Sequence, residues 1–401
     1  MALLSVEDAL ARILEDVSPT PAETIMIEEA LGRVLAEPLQ ALVTQSPFDA
    51  SAMDGYALRA ADIGTLPATL AVIGEVAAGH PFRGSVRPGQ AVRIFTGAPV
   101  PDGADTVVIQ EDTDRDGDKV LVREGGEEGR NIRLRGFDFR EGDQLLPAGR
   151  RMGPRDISLA AAMGHRPIAV RRRPRVAILS TGDELVPPGE RPGPGQIIAS
   201  NHLGIGALCE AAGADVQQLG IARDTREDLL AHVSRTSGAD VLVTSGGASV
   251  GDHDLVAPVL ESKGMAMAFW KIALRPGKPL MFGRLGASRV MGLPGNPVSS
   301  LVCARIFLVP LVRAMLGQPA GADRAIQGRL AVPVEANGPR QHYMRAVSVP
   351  GSDGLPLVTP VRSQDSSLLS PLAEADCLLV RPPSAPAAPQ GSLVPILPLD
   401  F

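Results

Sequence analysis

The sequence predicts an α/β protein whose central, mostly parallel sheet is flanked by β-rich segments. Three observations predict it. Between 175 and 316, short apolar runs alternate with stretches of helical period. From about 45 to 145, and again after about 323, helical periodicity gives way to short apolar runs broken by Gly, Pro and Asp. Within the alternating part, the strands end in glycine-rich loops, where open α/β sheets bind their ligands.

Each element follows from its own residues. Ser5 with an acid at Asp8 opens a helix on which Val6, Ala9, Leu10, Ile13, Leu14 and Val17 share one face. Pro19 and Pro21 end it. A second short helix is expected within 25–36, around Glu28 to Leu31. The β-rich stretch supplies strands at Leu70–Ile73, Ala91–Phe95, Thr106–Ile109 and Lys119–Val122, an insertion into the first element. Pro154 to Gly164 reads as a helix with Pro at its start and Gly at its end, and Ile168–Val170 as a short strand. Arg171-Arg172-Arg173-Pro174 reads as a solvated hinge. The central part then runs strand Val176–Leu179, helix Asn201–Ala212 closed by Gly213, strand Val216–Ile221, and a helix capped by Thr225 with Asp228. Strand Val241–Val243 and helix 254–262 come next. Strands near 267–273, 279–283 and 289–293 precede a long helix, 297–316. Short strands at Leu330–Val334, Tyr343–Val349, Leu357–Val358 and Cys377–Val380 make a small C-terminal β domain. The changes of texture divide the chain into 1–44 with 140–173, then 45–139, 174–322 and 323–401.

Composition narrows the function. With 401 residues, 44% of them hydrophobic, the chain is globular and has the length of several domains. A net charge of −6 and only 3% aromatic residues argue against nucleic-acid or membrane-surface binding. Cys209, Cys303 and Cys377 are isolated, so neither a disulfide framework nor a zinc site is indicated, and a reducing, cytoplasmic setting fits. The N-terminal residues carry no basic, cleavable leader pattern. The apolar stretch 297–316 contains Arg305 and Arg313 and reads as a buried helix, not a membrane span.

Three strand ends carry the chemistry. Val241–Val243 stops at Thr244-Ser245-Gly246-Gly247, followed by Ser249, Asp252 and Asp254. Paired glycines free the backbone to approach a ligand, the serines add hydroxyls, and the carboxylates suit a metal. Ser180-Thr-Gly-Asp-Glu184 and Met291-Gly-Leu-Pro-Gly-Asn-Pro-Val298 are the other two loops. One such loop could be a simple β–α turn; three on one edge point to a shared anion-binding cleft. Cations come from Lys271, Arg275 and Lys278, the last two set on a sharp Arg-Pro-Gly-Lys turn. Acids beside cations fit a phosphate held through a divalent metal. In the inserted module, Asp54 within Pro47–Tyr56 and Thr96 within Phe95–Pro101 stand in turns that are either functional or merely tight. His253 lies in the key loop as a passenger, since no second His is spaced to share a metal.

FDASAMDGY (Phe48–Tyr56), FTGAPV (Phe95–Val100), Asn131–Asp138, TGDEL (Thr181–Leu185), Ser245–Asp254, Lys271–Pro279 and LPGNPVS (Leu293–Ser299) occur in this order along nearly the whole chain. In these stretches the chain resembles the molybdopterin molybdenumtransferase (MoeA) family, whose eukaryotic relatives include the E domains of gephyrin and of plant Cnx proteins. The resemblance implies an elongated four-domain homodimer: a molybdopterin-binding α/β domain, an inserted β module, an N-terminal linker domain and a C-terminal β-barrel-like domain. It implies that adenylylated molybdopterin and molybdate become the molybdenum cofactor, with release of AMP and dependence on Mg2+ or another divalent cation. An upstream adenylyltransferase and acceptor molybdoenzymes are the implied partners.

The resemblance also implies roles. Glu184 and Asp254 act at the pyrophosphate and as metal ligands; Asp54 and Thr96 reach in from the partner copy; Asp138 and Asp224 stand with the catalytic acids. Ser245, Gly246, Gly247 and Ser249, with Pro294, Asn296 and Pro297, hold the pterin phosphate. Lys278, Arg345 and Ser366 form a molybdate pocket, with Lys271, Arg275, Pro279 and Ser299 beside it. Arg275 stands where many members have Lys, and Gln364-Asp-Ser-Ser stands where Gln-Gly-Ser-His is common, which leaves Ser366 and Ser367 as alternatives. A non-catalytic, gephyrin-like scaffold or molybdopterin-binding protein is the rival reading; an unrelated nucleotide enzyme lacks a GxGxxG or GxxxxGK[ST] motif.

Overall fold

Ser5 caps the first helix, α1 (Val6–Leu14), in the computed structural model of this chain; its Oγ accepts the Asp8 N–H at 3.0 Å. The structure describes residues 3–236, 238–247, 255–319, 321 and 324–399. The chain forms two compact units. The smaller comprises Thr24–Leu31 and Glu37–Ile168; the larger comprises Met1–Glu23, Gly32–Ala36 and Ala169–Phe401.

The smaller unit is built on a six-stranded sheet of β1 (Gly55–Leu58), β2 (Ala68–Val76), β3 (Gln90–Ile94), β4 (Thr106–Ile109), β5 (Thr113–Asp116) and β6 (Lys119–Val122). Their order is β4-β1-β3-β2-β6-β5. Tyr56, Leu58, Leu70 and Val108 fill one core, and Ala57, Val92, Ile94 and Val107 another. Alternate residues of β1 thus serve opposite faces, and all four are buried. That is why its sequence lacks the apolar–polar alternation of a one-sided strand. The helix expected around Glu28 is only a 3-10 turn, Ile27–Glu29. Gly32, at φ +73°, ends the stretch before a helical turn can propagate. Helix α2 (Pro154–Ala162) starts at its proline as expected, with the Asp156 carboxylate accepting the Gly153 N–H at 2.8 Å.

The larger unit holds the parallel sheet. Its strands are β7 (Arg175–Thr181), β8 (Asp215–Ala222), β9 (Val241–Ser245), β10 (Ala266–Trp270), β12 (Met281–Leu285) and β13 (Ser288–Leu293), in the order β8-β7-β9-β13-β12-β10. The first four in that order are parallel, and β12 and β10 add antiparallel pairs at one edge. On one face α1, α3 (Asn201–Ala212) and the long C-terminal helix pack with Val176, Ile178, Val241 and Val243. On the other, α4 (Arg226–Val233) and α5 (Val256–Ser262) cover Ala177, Leu179 and Leu242.

The long helix runs as α6 (Pro297–Cys303), a π turn at Ala304–Leu308, and α7 (Val309–Met315). Pro310 has no N–H for Ile306 O, and its ring crowds that carbonyl; the helix widens one turn earlier, where Val309 N–H reaches back to Ala304 O. Its length and apolarity would allow a membrane crossing, but 83% of its most apolar window is buried inside the protein. Side chains such as Phe307 and Leu311, fully buried, each contribute roughly 1.5–3 kcal/mol. The arginine run is not a solvated hinge. Arg172 forks onto Asp240 with two bonds of 2.9 Å, and Arg171 donates to Thr20 O at 3.1 Å.

The C-terminal strands are β14 (Ile326–Leu330), β15 (Gln341–Pro350), β16 (Pro356–Pro360), β17 (Cys377–Arg381) and β18 (Leu393–Pro398). They run β15-β16-β14-β18-β17, and β17 pairs back with β15, closing a five-stranded barrel. A short strand from the α/β part, β11 (Leu274–Arg275), joins the barrel alongside β15, with Arg275 opposite His342.

Candidate functional site

Parallel neighbours β7, β9 and β13 end side by side, so their three loops meet. Ser180 pairs with Ser245, and Ser245 with Leu293. The loops then lock together. Gly246 N–H donates to Leu293 O at 3.3 Å. Gly246, at φ +94°, lies so close to Thr181 that a Cβ would meet the Thr181 carbonyl oxygen at 2.5 Å. Only glycine permits both that angle and that approach. Asn201 at the start of α3 completes the knot: its Nδ2 donates to Ser245 Oγ at 3.0 Å and to Gly295 O at 2.7 Å. The Thr181 hydroxyl, buried at this junction, has no hydrogen-bond partner among the described residues. Ser249 and Asp254, with Asp252 and His253, lie outside the described residues.

Glu184 is exposed, and its carboxylate folds back over Gly182, where a Cβ would collide with it. Asp224 follows β8 on the next loop, its N–H donating to Asp183 Oδ1 at 3.2 Å. Between these loops and α3 opens a cleft of about 810 Å³, lined by Gly182, Asp183, Gln196, His202, Arg223 and Thr225 among others. His202 Nδ1 is buried in the fold without a partner among the described residues, and burial lowers its pKa. Gln196, Asn201, His202 and Arg223 stand in no motif that marks them from the sequence. Asn201 follows Ser200 at a helix start and reads as part of a cap, whereas its side chain ties two distant loops.

The second half of the site joins α6 to the barrel. Asn296 precedes α6 but makes no side-chain cap; its Nδ2 donates instead to Ser366 Oγ at 3.1 Å. Val298 N–H, in the first helical turn, donates to Ser366 O at 3.0 Å. Ser367 turns the other way, its N–H and Oγ both on Asp365 Oδ1, at 2.9 and 2.8 Å. The geometry therefore separates the two serines and sets Ser366 beside Asn296. Pro294 and Ser299 are buried, and Pro297 is half-buried.

Arg345, expected in the molybdate pocket, is 1% exposed and braces the Ser366 loop from inside. Its guanidinium donates to Leu368 O at 2.8 Å and to Ser363 O and Asp365 O, each at 2.9 Å. Burial lowers its pKa, and Asp365 opposes that shift.

The cationic turn is clasped at its base: Lys271 N–H donates to Leu280 O and Ile272 N–H to Lys278 O, both at 3.0 Å. Gly277, at φ +110°, sits against α6, where a Cβ would strike Cys303 Sγ. Arg275 and Lys278 are exposed, Lys271 and Pro279 half-buried, and none of the three cations pairs with a carboxylate among the described residues.

In the smaller unit, Thr96 N–H and Thr96 Oγ both donate to Asp54 Oδ1 at 2.8 Å. The Thr96 N–H, then its hydroxyl, and lastly the nearby Arg93 hold the Asp54 carboxyl below its usual range. Asp138 is exposed in the same unit, its N–H on Gln45 O at 3.0 Å, with no hydrogen bond to Asp54. Among the described residues no three His, Cys, Asp or Glu side chains cluster as a metal site.

Fold and site together define a class: an α/β protein whose glycine loops, exposed cations and exposed carboxylates suit a phosphate-bearing anionic ligand at the carboxyl edge of a parallel sheet. Residues 4–164 match the MoeA N-terminal region (domains I and II), 177–314 the "probable molybdopterin binding domain", and 327–399 the MoeA C-terminal region (domain IV). A Haemophilus influenzae protein named molybdopterin molybdenumtransferase is 34% identical over 402 residues, 99% of each chain. A Nostoc protein of the same name is 36% identical over 82% of this chain and 77% of its own. A crystal structure of a Pyrococcus molybdopterin biosynthesis MoeA protein superposes with a TM-score of 0.85 at 30% identity, covering 100% of both chains. The chain belongs to the molybdopterin molybdenumtransferase (MoeA) family.

Proposed function

We propose that this chain inserts molybdenum into molybdopterin, taking adenylylated molybdopterin and molybdate and releasing AMP. The observation that carries the reading is the junction of Asn296, Ser366 and the first turn of α6, next to a turn that presents two exposed cations with no carboxylate partner among the described residues. Molybdate is a tetrahedral dianion. Arg275 and Lys278 supply charge and directional N–H groups, and Ser366 a hydroxyl. Arg345 shapes that pocket by holding its loop. The Gly246–Gly247 loop and the Asn296 turn take the pterin phosphate, and the cleft beside Glu184 and Asp224 takes the adenylyl side.

A divalent cation such as Mg2+ is part of this reading, with the exposed Glu184 as one carboxylate that could meet it. Mg2+ is commonly bound by one or two carboxylates together with substrate phosphates, so a full protein ligand cage is not required. Glu184 and Asp254 would hold it, and when bound it neutralises charge on the departing phosphate. The chain's own groups then orient the anions and exclude competing geometry. We further propose that the protein is a cytoplasmic homodimer in which Asp54 and Thr96 of one copy serve the cleft of the other. The four-part division at 44/45, 139/140, 173/174 and 322/323 belongs to the same proposal.

The test is AMP release from adenylylated molybdopterin. Wild-type protein should release AMP in a molybdate-dependent manner and lose the activity in chelator. Lys278→Ala should raise the molybdate requirement about tenfold or more and recover at high molybdate. A scaffold would bind the nucleotide and release nothing; an unchanged molybdate requirement in Lys278→Ala would refute the pocket.

A further inference from the structure

The smaller unit contains an organised cation that the proposed reaction has not used. Arg93 lies on β3 directly opposite Tyr56 on β1. Its guanidinium carbon is 5.2 Å from the Tyr56 ring centroid and 5.0 Å from that of Phe95. Aromatic residues are 3% of the chain, yet two of them bracket this one charge. A planar guanidinium between two ring faces is held in orientation as well as in place.

Its hydrogen bonds point to one neighbour. Nη1 donates to Gly55 O at 3.1 Å, and Nη2 donates to Gln110 Oε1 at 2.6 Å. Gln110 N–H donates in turn to Asp54 O at 3.0 Å. The contacts close a ring through Asp54, Gly55, Arg93 and Gln110. Thr96, three residues beyond Arg93, fixes Asp54 Oδ1 from the other side. Oδ2 accepts no hydrogen bond among the described residues. The backbone of Asp54 is thus held by the Arg93 ring and its carboxylate by Thr96, with one oxygen left to act. Glu75, exposed on β2, is the cross-strand neighbour of Arg93 on its other side.

We propose that Arg93 is a positioning residue for the reaction: it holds Asp54 with Oδ2 presented to the substrate, and works through Asp54 without contacting substrate itself. The proposal rests on the reading that Asp54 serves the reaction. Lysine would keep the charge but could not fork to Gly55 O and Gln110 Oε1 together.

The experiment measures molybdate-dependent AMP release by wild type, Arg93→Met, Arg93→Lys, Asp54→Asn and the Arg93→Met/Asp54→Asn double variant, with folding checked by circular dichroism. Arg93→Met should lower kcat about 10- to 100-fold with KM for adenylylated molybdopterin nearly unchanged. Arg93→Lys should restore only part of it. The acid limb of the kcat profile should move to higher pH in Arg93→Met, since a cation that favours ionised Asp54 is gone. In the Asp54→Asn background, Arg93→Met should cost less than about twofold more. Losses that multiply in the double variant, or a raised KM at unchanged kcat, overturn the proposal. Wild-type kcat in Arg93→Met with an impaired Asp54→Asn overturns it while leaving Asp54 its role; wild-type kcat in Asp54→Asn overturns that role itself. Should Arg93→Met misfold, Gln110→Leu opens the same ring and should lower kcat in the same way, and unchanged kcat there overturns the proposal.

Discussion

Asn201, Arg345 and His342 show how much a residue's identity reveals and where that stops. Ser366, Asn296, Lys278 and the paired glycines are nominated by the sequence because each sits in a short motif whose chemistry is local. Asn201 is not: its two acceptors, Ser245 Oγ and Gly295 O, lie 44 and 94 residues away. An arginine near an anion site suggests a ligand; only tertiary packing turns Arg345 inward. The choice between Ser366 and Ser367 needs the Asp365 turn. His342 offers a test at this scale. It is 6% exposed, and burial, reinforced by Arg275, Arg340, Arg345 and Arg381, pushes its pKa down to about 4. In the unfolded chain a histidine titrates near 6.5. As pH falls through that window the unfolded state takes up a proton that the folded state refuses, so stability drops with falling pH. From about pH 6.5 to 4 the loss should approach roughly 3 kcal/mol. Urea unfolding of wild type against His342→Gln isolates it from the carboxylates: the difference between the two curves should change with pH over this window, and a pH-independent difference would refute it.

Elements are legible where their period is clean. Helix Asn201–Ala212 and its Gly213 stop, at φ +104°, stand where their signals put them. The expected helix at 25–36 fails because a strand, Ala22–Met26, takes up the start of that stretch and Gly32 interrupts its middle. Strand β18 is hidden because Pro395 and Pro398 disguise it, though its partner Gln327 pairs with Pro395. The π turn in the long helix has a visible cause, Pro310, but no visible extent. The Arg275–Lys278 turn shows an element whose placement depends on one atom's worth of space. Gly277 has no room for a Cβ beside Cys303 and holds a φ that other residues avoid. Gly277→Ala should therefore lower stability by roughly 1–3 kcal/mol and raise the molybdate requirement several-fold. Adding Cys303→Ala should recover part of the stability by removing the clash, while the backbone strain persists. Thermal melting together with the AMP assay reads both effects, and an unchanged molybdate requirement would show that the turn's position does not matter.

At the scale of the molecule, the α/β class arises from patterning, since parallel strands buried on both faces leave uninterrupted apolar runs, whereas patterning marks the C-terminal segment only as β and its closure into a barrel comes from the pairing of β17 with β15. What patterning does not carry is which copy's residues work together. The loops around Glu184 belong to the larger unit and Asp54 with Thr96 to the smaller. If one copy's Asp54 serves the other copy's Glu184, two dead variants must rescue each other. Asp54→Ala and Glu184→Ala should each be inactive alone. Mixed in equal amounts and allowed to exchange subunits, half the dimers are mixed, and each mixed dimer holds one site with both carboxylates intact and one with neither. About a quarter of wild-type AMP release should return. If both carboxylates act within one chain, every site in the mixture lacks one of them and nothing returns. Size-exclusion chromatography of the mixture, with one variant tagged, establishes that exchange has occurred, so that silence in the assay refutes the shared site and does not merely reflect unexchanged dimers.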